Sequence, residues 1–206
     1  MLYVGLTGNI ASGKTAAAER LAELGATIVD ADVLAREAVA PGSDALVRVV
    51  ERWGGGVLAA DGTLDREALR HIVFSDPEQL EELNAIIHPS VWQLRDARVD
   101  EARARGDAVL VYVVPLLFER HLAEEFDAIV LVDADRATRR ERLTGHRRVA
   151  EDDATNMIAA QMPAELKCAR ADFVIDNDGS LEQLRERVDA VWERLTVLET
   201  RSSLAG

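Results

Sequence analysis

The sequence has few of the residues that disulfide-rich, zinc-binding or membrane-spanning proteins need. Its 206 residues include one cysteine, Cys168, which excludes an internal disulfide and a zinc site built from several thiolates. The longest apolar stretch, residues 109–118, is too short to span a bilayer and contains Pro115. We therefore expect a cytoplasmic protein with no membrane segment.

Basic residues are also scarce relative to acidic ones. The sequence has 24 lysines and arginines against 37 acids, which gives a formal net charge of −13. This balance argues against a general nucleic-acid binder, because such proteins hold phosphate backbones with many cations. The histidines lack the spacing of metal ligands; they are His71, His88, His121 and His146. An acidic protein that handles phosphates must gather its cations locally.

A glycine-rich motif near the start of the chain has the spacing of a phosphate-binding loop. Gly8, Gly13, Lys14 and Thr15 fill the fixed positions of G-x-x-x-x-G-K-[ST], between a β-favouring and a helix-forming run. The N–H groups of such a loop cradle a polyphosphate at a helix N-terminus. We expect Lys14 to reach the β and γ phosphates and the Thr15 hydroxyl to bind Mg²⁺. The predicted binding loop comprises Gly8, Asn9, Ile10, Ala11, Ser12, Gly13, Lys14, Thr15 and Ala16.

Five short apolar segments alternate with helical patterns and predict a parallel sheet covered by helices on both faces. The predicted strands are residues 2–7, 26–30, 108–114, 127–133 and 172–176. Helical patterns fill most of the chain between the second and third strands, and Pro89 predicts a break or kink at His88. Ser180 and Gln183 have the spacing of a capping box before the final helix.

Acidic residues follow the second predicted strand. Ligands of open parallel sheets bind beyond the carboxyl ends of the strands, where the loop, Asp30, Asp32 and Pro115 would converge. Asp32 has two interpretations: the N-cap of a helix that begins at Val33, or the carboxylate that accepts a proton from an alcohol during phosphoryl transfer. The strand before Pro115 lacks a Walker B acid, so we expect Thr15, phosphate oxygens and water to hold Mg²⁺, with help from Asp32 or Asp30.

Arginines cluster in residues 136–148. Most of them suit a solvated helix face with acidic partners. One or two could instead close over the phosphates and neutralise charge in the transition state. Arg139 and Arg142, three residues apart, are the best candidates.

Several stretches together resemble the dephospho-coenzyme A kinase family, in the family's order from residue 2 to about residue 180. The P-loop is common to many enzymes, whereas the Asp-Ala-Asp, His-Pro, Pro-Leu-Leu-Phe-Glu and Ile-Asp-Asn stretches are more particular. The matching stretches are Gly5-Leu6-Thr7-Gly8 with Ser12-Gly13-Lys14-Thr15, Asp30-Ala31-Asp32 with Ala35-Arg36, Ala60-Asp61-Gly62, Ile87-His88-Pro89, Val114-Pro115-Leu116-Leu117-Phe118-Glu119, Ala159-Ala160-Gln161-Met162-Pro163, Lys167, Ala171-Asp172 and Val174-Ile175-Asp176-Asn177.

The resemblance implies an α/β, three-layer P-loop kinase fold with a five-stranded parallel sheet flanked by helices. It implies a single kinase domain over residues 1–206, with a helical substrate-binding insertion at about 32–105 and a lid at about 136–165. The implied reaction transfers the γ-phosphoryl group of ATP, with Mg²⁺, to the ribose 3′-hydroxyl of dephospho-coenzyme A, the last step of coenzyme A synthesis. The implied partner is a small molecule, dephospho-coenzyme A; charge and hydropathy argue against nucleic acid and membrane, and the sequence leaves the oligomeric state open, with a monomer plausible.

The resemblance also implies roles for individual residues. Asp32 would be the base, and Lys14 and Arg142 would assist catalysis. Arg139, Arg142 and Asn177 would join the loop in binding ATP, with Asn177 near adenine. The implied acceptor residues are Asp32, Arg36, His88, Pro115, Leu116 and Glu119. The chain departs from the family at Asn9 and Ala11, where glycine is usual, and at His146 and Met157, where arginine is frequent; Arg147 is a possible substitute.

Three other functions fit parts of the sequence. A P-loop kinase of nucleoside monophosphates or sugar acids would differ only at the acceptor site, and the stretches at His88-Pro89 and 115–119 argue against it. A GTP-dependent switch needs an N-K-x-D element, which the sequence lacks. A binding module with a vestigial P-loop is disfavoured because Lys14, Thr15 and Asp32 are all present.

Overall fold

The computed structural model describes residues 1–73 and 76–205 and contains the parallel sheet that the sequence predicts. Its strand order is β2-β3-β1-β4-β5, and the pairings of β1 with β3, β1 with β4 and β4 with β5 are parallel. The strands are β1 (Leu2–Gly8), β2 (Thr27–Asp30), β3 (Val109–Val113), β4 (Ala128–Asp133) and β5 (Phe173–Asp176).

Helices fill most of the connections between these strands, and the last one follows β5. They are α1 (Lys14–Glu23), α2 (Ala31–Glu37), α3 (Asp44–Trp53), α4 (Arg66–Val73), α5 (Pro77–Arg105), α6 (Arg136–Glu141), α7 (Glu151–Ala159), α8 (Ala164–Cys168) and α9 (Leu181–Ala205). A short π-helical turn, Arg142–His146, follows α6 directly. The sequence predicts a break or kink at His88; the break is wrong, because α5 continues through Pro89 as one helix of 29 residues.

One face of the sheet packs on α1 and α9. Every second residue of β1, β3, β4 and β5 points into this core, which is the periodicity of an extended chain. The strand residues of this core are Leu2, Val4, Leu6, Val109, Val111, Val113, Ala128, Val130, Val132, Phe173 and Ile175. The predicted capping box at the start of α9 is confirmed, since the Gln183 N–H donates to Ser180 Oγ (3.2 Å) and the Ser180 N–H donates to Gln183 Oε1 (2.9 Å).

The opposite face of the sheet is covered as well. The alternate strand residues Leu110, Tyr112, Ile129 and Leu131 are buried there. Gly5 lies so close to this layer that a Cβ at its position would be 2.7 Å from Leu117 Cδ1. Coverage of both faces explains why β3 and β4 are uninterrupted apolar runs in the sequence.

The chain forms two compact units. The first contains residues 1–29 and the chain from residue 102 onwards, and therefore most of the sheet. The second, residues 30–101, has its own apolar clusters, one around Val49, Val57 and Leu69 and one around Val39 and Leu46. Across the described residues, no helix is both long enough and apolar enough to cross a membrane.

Candidate active site

The glycine-rich loop connects β1 to α1, as its motif requires. β1 ends at Gly8, and α1 begins at Lys14 with Gly13 as its N-cap. The first N–H groups of α1, at Lys14, Thr15 and Ala16, have no partner within the helix, and they lie at the positive end of its dipole. This helix end has the geometry of an anion-binding site.

Gly13 cannot be replaced without moving its surroundings. Its φ angle is +96°, in the left-handed region that favours glycine, and a Cβ there would lie 2.0 Å from Asn177 Nδ2. Ala11 also has a positive φ, +58°, at one of the positions where the family usually has glycine. An alanine in this region costs roughly 1–2 kcal/mol, which the contacts of the loop must offset.

Two predicted site residues hold the loop through its carbonyl groups. Arg142 Nη1 donates to Ala11 O (3.2 Å) and Ser12 O (3.4 Å), and Asn177 Nδ2 donates to Ser12 O (2.7 Å). Arg142 Nη2 in turn donates to the carbonyl of Asn177 at 2.7 Å. Because a peptide unit is planar, fixing the Ser12 carbonyl points the N–H group of Gly13 the opposite way. The Ser12 N–H donates to Asn9 O within the loop at 3.1 Å. Arg142 and Asn177 thus orient the Gly13 N–H.

The start of the loop is anchored by residues that follow α6. The Ile10 N–H donates to Gln161 Oε1 at 2.7 Å, and the side chains of Ile10 and Ala11 pack against Leu143, Ala154 and Ile158. Gln161 lies in a stretch that resembles the family, yet nothing in the sequence alone assigns it a role. Its partner lies 151 residues away, so no local pattern could have revealed the contact.

Lys14 and Thr15 are the first two residues of α1. Lys14 is partly buried, with Nζ 3.5 Å from Gly8 O, and Thr15 is exposed at the first turn of α1. Among residues 1–73 and 76–205, no three His, Cys, Asp or Glu side chains are grouped so that they could hold a metal ion. The Thr15 hydroxyl fits a cation that draws its other ligands from phosphate oxygens and water.

Arg139 and Asn9 line a cavity of about 480 Å³ beside the loop. Arg139 is buried and donates from Nε to Ala134 O at 2.9 Å. Its Nη1 and the Asn9 Oδ1 are buried, and neither has a hydrogen-bond partner among the described residues. Burial raises the pKa of the Asp133 carboxyl, which lines the same cavity. Arg139 thus lines this cavity, whereas Arg142 donates to the loop carbonyls.

The turn after β3 carries the predicted acceptor residues Pro115, Leu116 and Glu119. The carbonyl of Pro115 accepts a hydrogen bond from Thr7 Oγ1 at 3.4 Å, and Leu116 is 36% exposed. Glu119 Oε1 lies 2.7 Å from Nζ of the fully buried Lys167 and accepts the Met162 N–H at 3.4 Å. The Glu119 carboxylate is thus anchored, a role that the sequence alone does not indicate.

Asp32, Arg36 and His88 belong to the second unit, residues 30–101. Asp30 caps α2, because its Oδ1 accepts the N–H groups of Asp32 (2.7 Å) and Val33 (3.2 Å). The interpretation of Asp32 as the N-cap is therefore wrong, because Asp30 is the N-cap of α2. The Asp32 side chain is exposed in the first turn of α2, and Arg36 is exposed further along the same helix. The His88 ring lies 5.8 Å from the ring of Trp92, one turn along α5.

Replacing Asn177 by alanine is expected to destabilise the protein by about 1–3 kcal/mol, because it leaves a buried carbonyl short of a donor. The lost bond is the 2.7 Å contact to Ser12 O. We also expect a higher KM for ATP, since the loop loses the anchor that Asn177 provides at Ser12 O. Urea denaturation and steady-state kinetics measure the two effects. Asn156→Ala, on the exposed face of α7, is the matched control. Equal unfolding free energies for the two variants would contradict the anchoring role.

Comparison with known proteins covers nearly the whole chain. A family model for dephospho-CoA kinase matches residues 2–183. The dephospho-CoA kinase of Streptomyces avermitilis is 49% identical over 195 residues, covering 95% of this chain and 94% of the relative. That of Thermobifida fusca is 45% identical over 195 residues, covering 95% and 96%.

Solved structures share the fold of this chain. The crystal structure of TT1252 from Thermus thermophilus is 36% identical, with a TM-score of 0.76 over 94% of this chain and 97% of that one. Dephospho-CoA kinase from Campylobacter jejuni shares the fold at 20% identity, with a TM-score of 0.66 over 94% and 96% of the two chains. Because the family model matches most of the chain and relatives of similar length are up to 49% identical, the chain belongs to the dephospho-CoA kinase family.

Proposed function

We propose that the protein transfers the γ-phosphoryl group of ATP to the ribose 3′-hydroxyl of dephospho-coenzyme A, giving coenzyme A and ADP. The observation that carries the proposal is the loop between β1 and α1, whose Ala11 and Ser12 carbonyls are held by Arg142 and Asn177. This arrangement presents N–H donors to a polyphosphate before it binds. Preorganised donors stabilise developing charge without reorganisation, which is the main protein contribution to phosphoryl transfer.

Three side chains have proposed roles at the phosphates. Lys14 would neutralise the β and γ oxygens from the end of the loop. Arg142 would act through the loop that it anchors and through its own charge. Arg139, with a buried and unpartnered Nη1, would supply a donor beside the loop. The Thr15 hydroxyl would hold Mg²⁺, which supplies charge neutralisation to the transferred group when bound.

Asp32 is the proposed base. The exposed carboxylate is not used for capping, because Asp30 caps α2. It follows the carboxyl end of β2, the end of a parallel sheet at which ligands bind. In this role Asp32 orients the acceptor hydroxyl and accepts its proton as the phosphoryl group is transferred.

The remaining proposed acceptor residues are Arg36, His88, Pro115, Leu116 and Glu119. Their support is that the family match, residues 2–183, includes each of these positions. We also propose that residues 32–105 form the substrate-binding insertion and that residues 136–165 form a lid. Because the reaction consumes ATP, we propose a cytoplasmic location, which fractionation of cells that produce the protein would test.

The test is ADP release by the purified protein with ATP and Mg²⁺. Dephospho-coenzyme A, AMP, CMP and gluconate are offered as acceptors in parallel reactions, with an acceptor-free control. We expect turnover with dephospho-coenzyme A alone. Turnover with one of the other acceptors, or none above the control, would overturn the proposed acceptor. Omitting Mg²⁺ from the productive reaction is expected to abolish turnover.

A further inference from the structure

The second unit contains two exposed arginines, Arg36 and Arg66, that repel each other. Arg36 lies in the last turn of α2, and Arg66 is the first residue of α4. Within the described part of the chain, neither has a hydrogen bond or an ion pair to another side chain. Partial burial and then repulsion from Arg36 lower the pKa of Arg66. The two guanidinium groups therefore lie close enough to destabilise each other.

Two neighbouring arginines without an ion pair among the described residues are unusual in a chain so rich in acidic residues. Acids outnumber lysines and arginines by 37 to 24, so most arginines can find a carboxylate. Others in the same unit do so: Arg52 pairs with Glu82 at 2.6 Å, and Arg98 pairs with Glu37 at 3.1 Å. Like charges placed together cost free energy that a bound anion would recover.

The surface beside Arg66 has room for such an anion. A cavity of about 530 Å³ is lined by Arg66, Arg70, His71 and Glu67 on α4. Arg66 and Arg70 are four residues apart and share one face of the helix. Guanidinium groups match phosphate oxygens with two parallel donors, so the two at this cavity, Arg66 and Arg70, suit a diphosphate better than a single carboxylate.

We propose that Arg66, together with Arg36, binds the diphosphate that joins the adenosine and pantetheine halves of dephospho-coenzyme A. The inference rests on the proposed function and adds Arg66 to the acceptor residues. The loop at the start of α1 already supplies a cradle for the phosphates of ATP. The diphosphate that still needs cations is therefore the one on the acceptor.

The test compares Arg66→Met and Arg36→Met with Arg52→Met, which removes an exposed, ion-paired arginine from the same unit. We expect the first two to raise the KM for dephospho-coenzyme A by about 10- to 100-fold, the size expected for lost charge-assisted contacts. The KM for ATP and kcat should stay within about 3-fold. Arg52→Met should leave all three constants unchanged.

Two further measurements separate a loss of binding from a loss of folding. Calorimetric titration of each variant with dephospho-coenzyme A, without ATP, should show the same loss, and Arg66→Lys should retain part of the affinity because it keeps the charge. Thermal unfolding midpoints should match those of the natural chain.

Three results would overturn the inference: an unchanged KM for dephospho-coenzyme A in Arg66→Met, a rise in the KM for ATP instead, or a loss explained by unfolding. Absence of turnover by the natural chain would overturn the proposed function. The calorimetric comparison would then still report whether Arg66 contributes to binding of the same ligand.

Discussion

Replacing Lys14 by methionine is expected to lower kcat/KM for ATP by about 10²–10³-fold, the usual loss when one preorganised donor to a transferring phosphoryl group is removed. The contact of the Lys14 ammonium group with Gly8 O is long, at 3.5 Å. The methionine side chain preserves the packing of the stem. The loss should therefore appear in catalysis and ATP affinity while the fold stays intact. Steady-state kinetics at saturating acceptor measure it.

Arg105→Met is the control for the change in net charge. It removes one cation from the same unit, where Arg105 pairs with Asp107 at 2.7 Å on the surface. Its activity should equal that of the natural chain, and both variants should retain the circular dichroism spectrum of the natural protein. Activity of Lys14→Met within about 5-fold of the control would remove Lys14 from phosphate stabilisation.

Asp32→Asn is expected to lower kcat by about 10²–10⁴-fold, the range that a positioned proton acceptor contributes. Asparagine keeps the shape of the side chain but cannot accept the proton. The backbone N–H of Asp32 still donates to Asp30 in the variant, so α2 keeps its cap. ATP affinity, measured by calorimetry, should be unchanged.

The matched control is Asp44→Asn, since Asp44 is an exposed acid in the first turn of α3 in the same unit. Asp44→Asn removes a carboxylate near a helix N-terminus, and such a carboxylate contributes about 0.3–1 kcal/mol to the free energy of unfolding. We expect no change in kcat from this control. Near-normal turnover by Asp32→Asn would show that the acceptor hydroxyl loses its proton elsewhere. A joint loss of ATP affinity and turnover would also contradict the proposed role.

The sheet and the loop were predictable because their signals are local. Each strand of a sheet covered on both faces is a short apolar run, and the β3 and β4 runs could be recognised without any knowledge of their neighbours. The spacing from Gly8 to Thr15 likewise fixes a strand, a turn and a helix start within a few residues. Ser180 and Gln183 cap α9 through bonds that span three positions, so the sequence sufficed there too.

Where two local rules competed, the sequence could not decide between them. Both Asp30 and Asp32 are good N-cap residues, and the choice depended on whether α2 begins at Ala31 or at Val33. Pro89 removes one backbone donor from α5, at a cost of about 3 kcal/mol in a helix interior, yet the flanking turns of this 29-residue helix continue across it. A local preference of that size can be overridden by a long helix on either side.

The contacts that orient the site were outside the reach of sequence patterns because they join distant segments. Gln161 lies 151 positions from Ile10, and Asn177 lies 165 positions from Ser12. The sequence predicts that Arg142 and Asn177 belong to the site, but not that they act on the carbonyl side of the loop. Lys167, fully buried against Glu119, was indistinguishable in the sequence from a solvated lysine.

The central claim is that this chain phosphorylates the ribose 3′-hydroxyl of dephospho-coenzyme A. The most direct measurement is ³¹P NMR of the product formed from ATP, Mg²⁺ and dephospho-coenzyme A, with its mass determined in parallel. We predict one new phosphomonoester resonance, a mass increase of one phosphoryl group, and identity with authentic coenzyme A. A phosphate at another position of the acceptor, or ATP consumed with no phosphorylated product, would contradict the account.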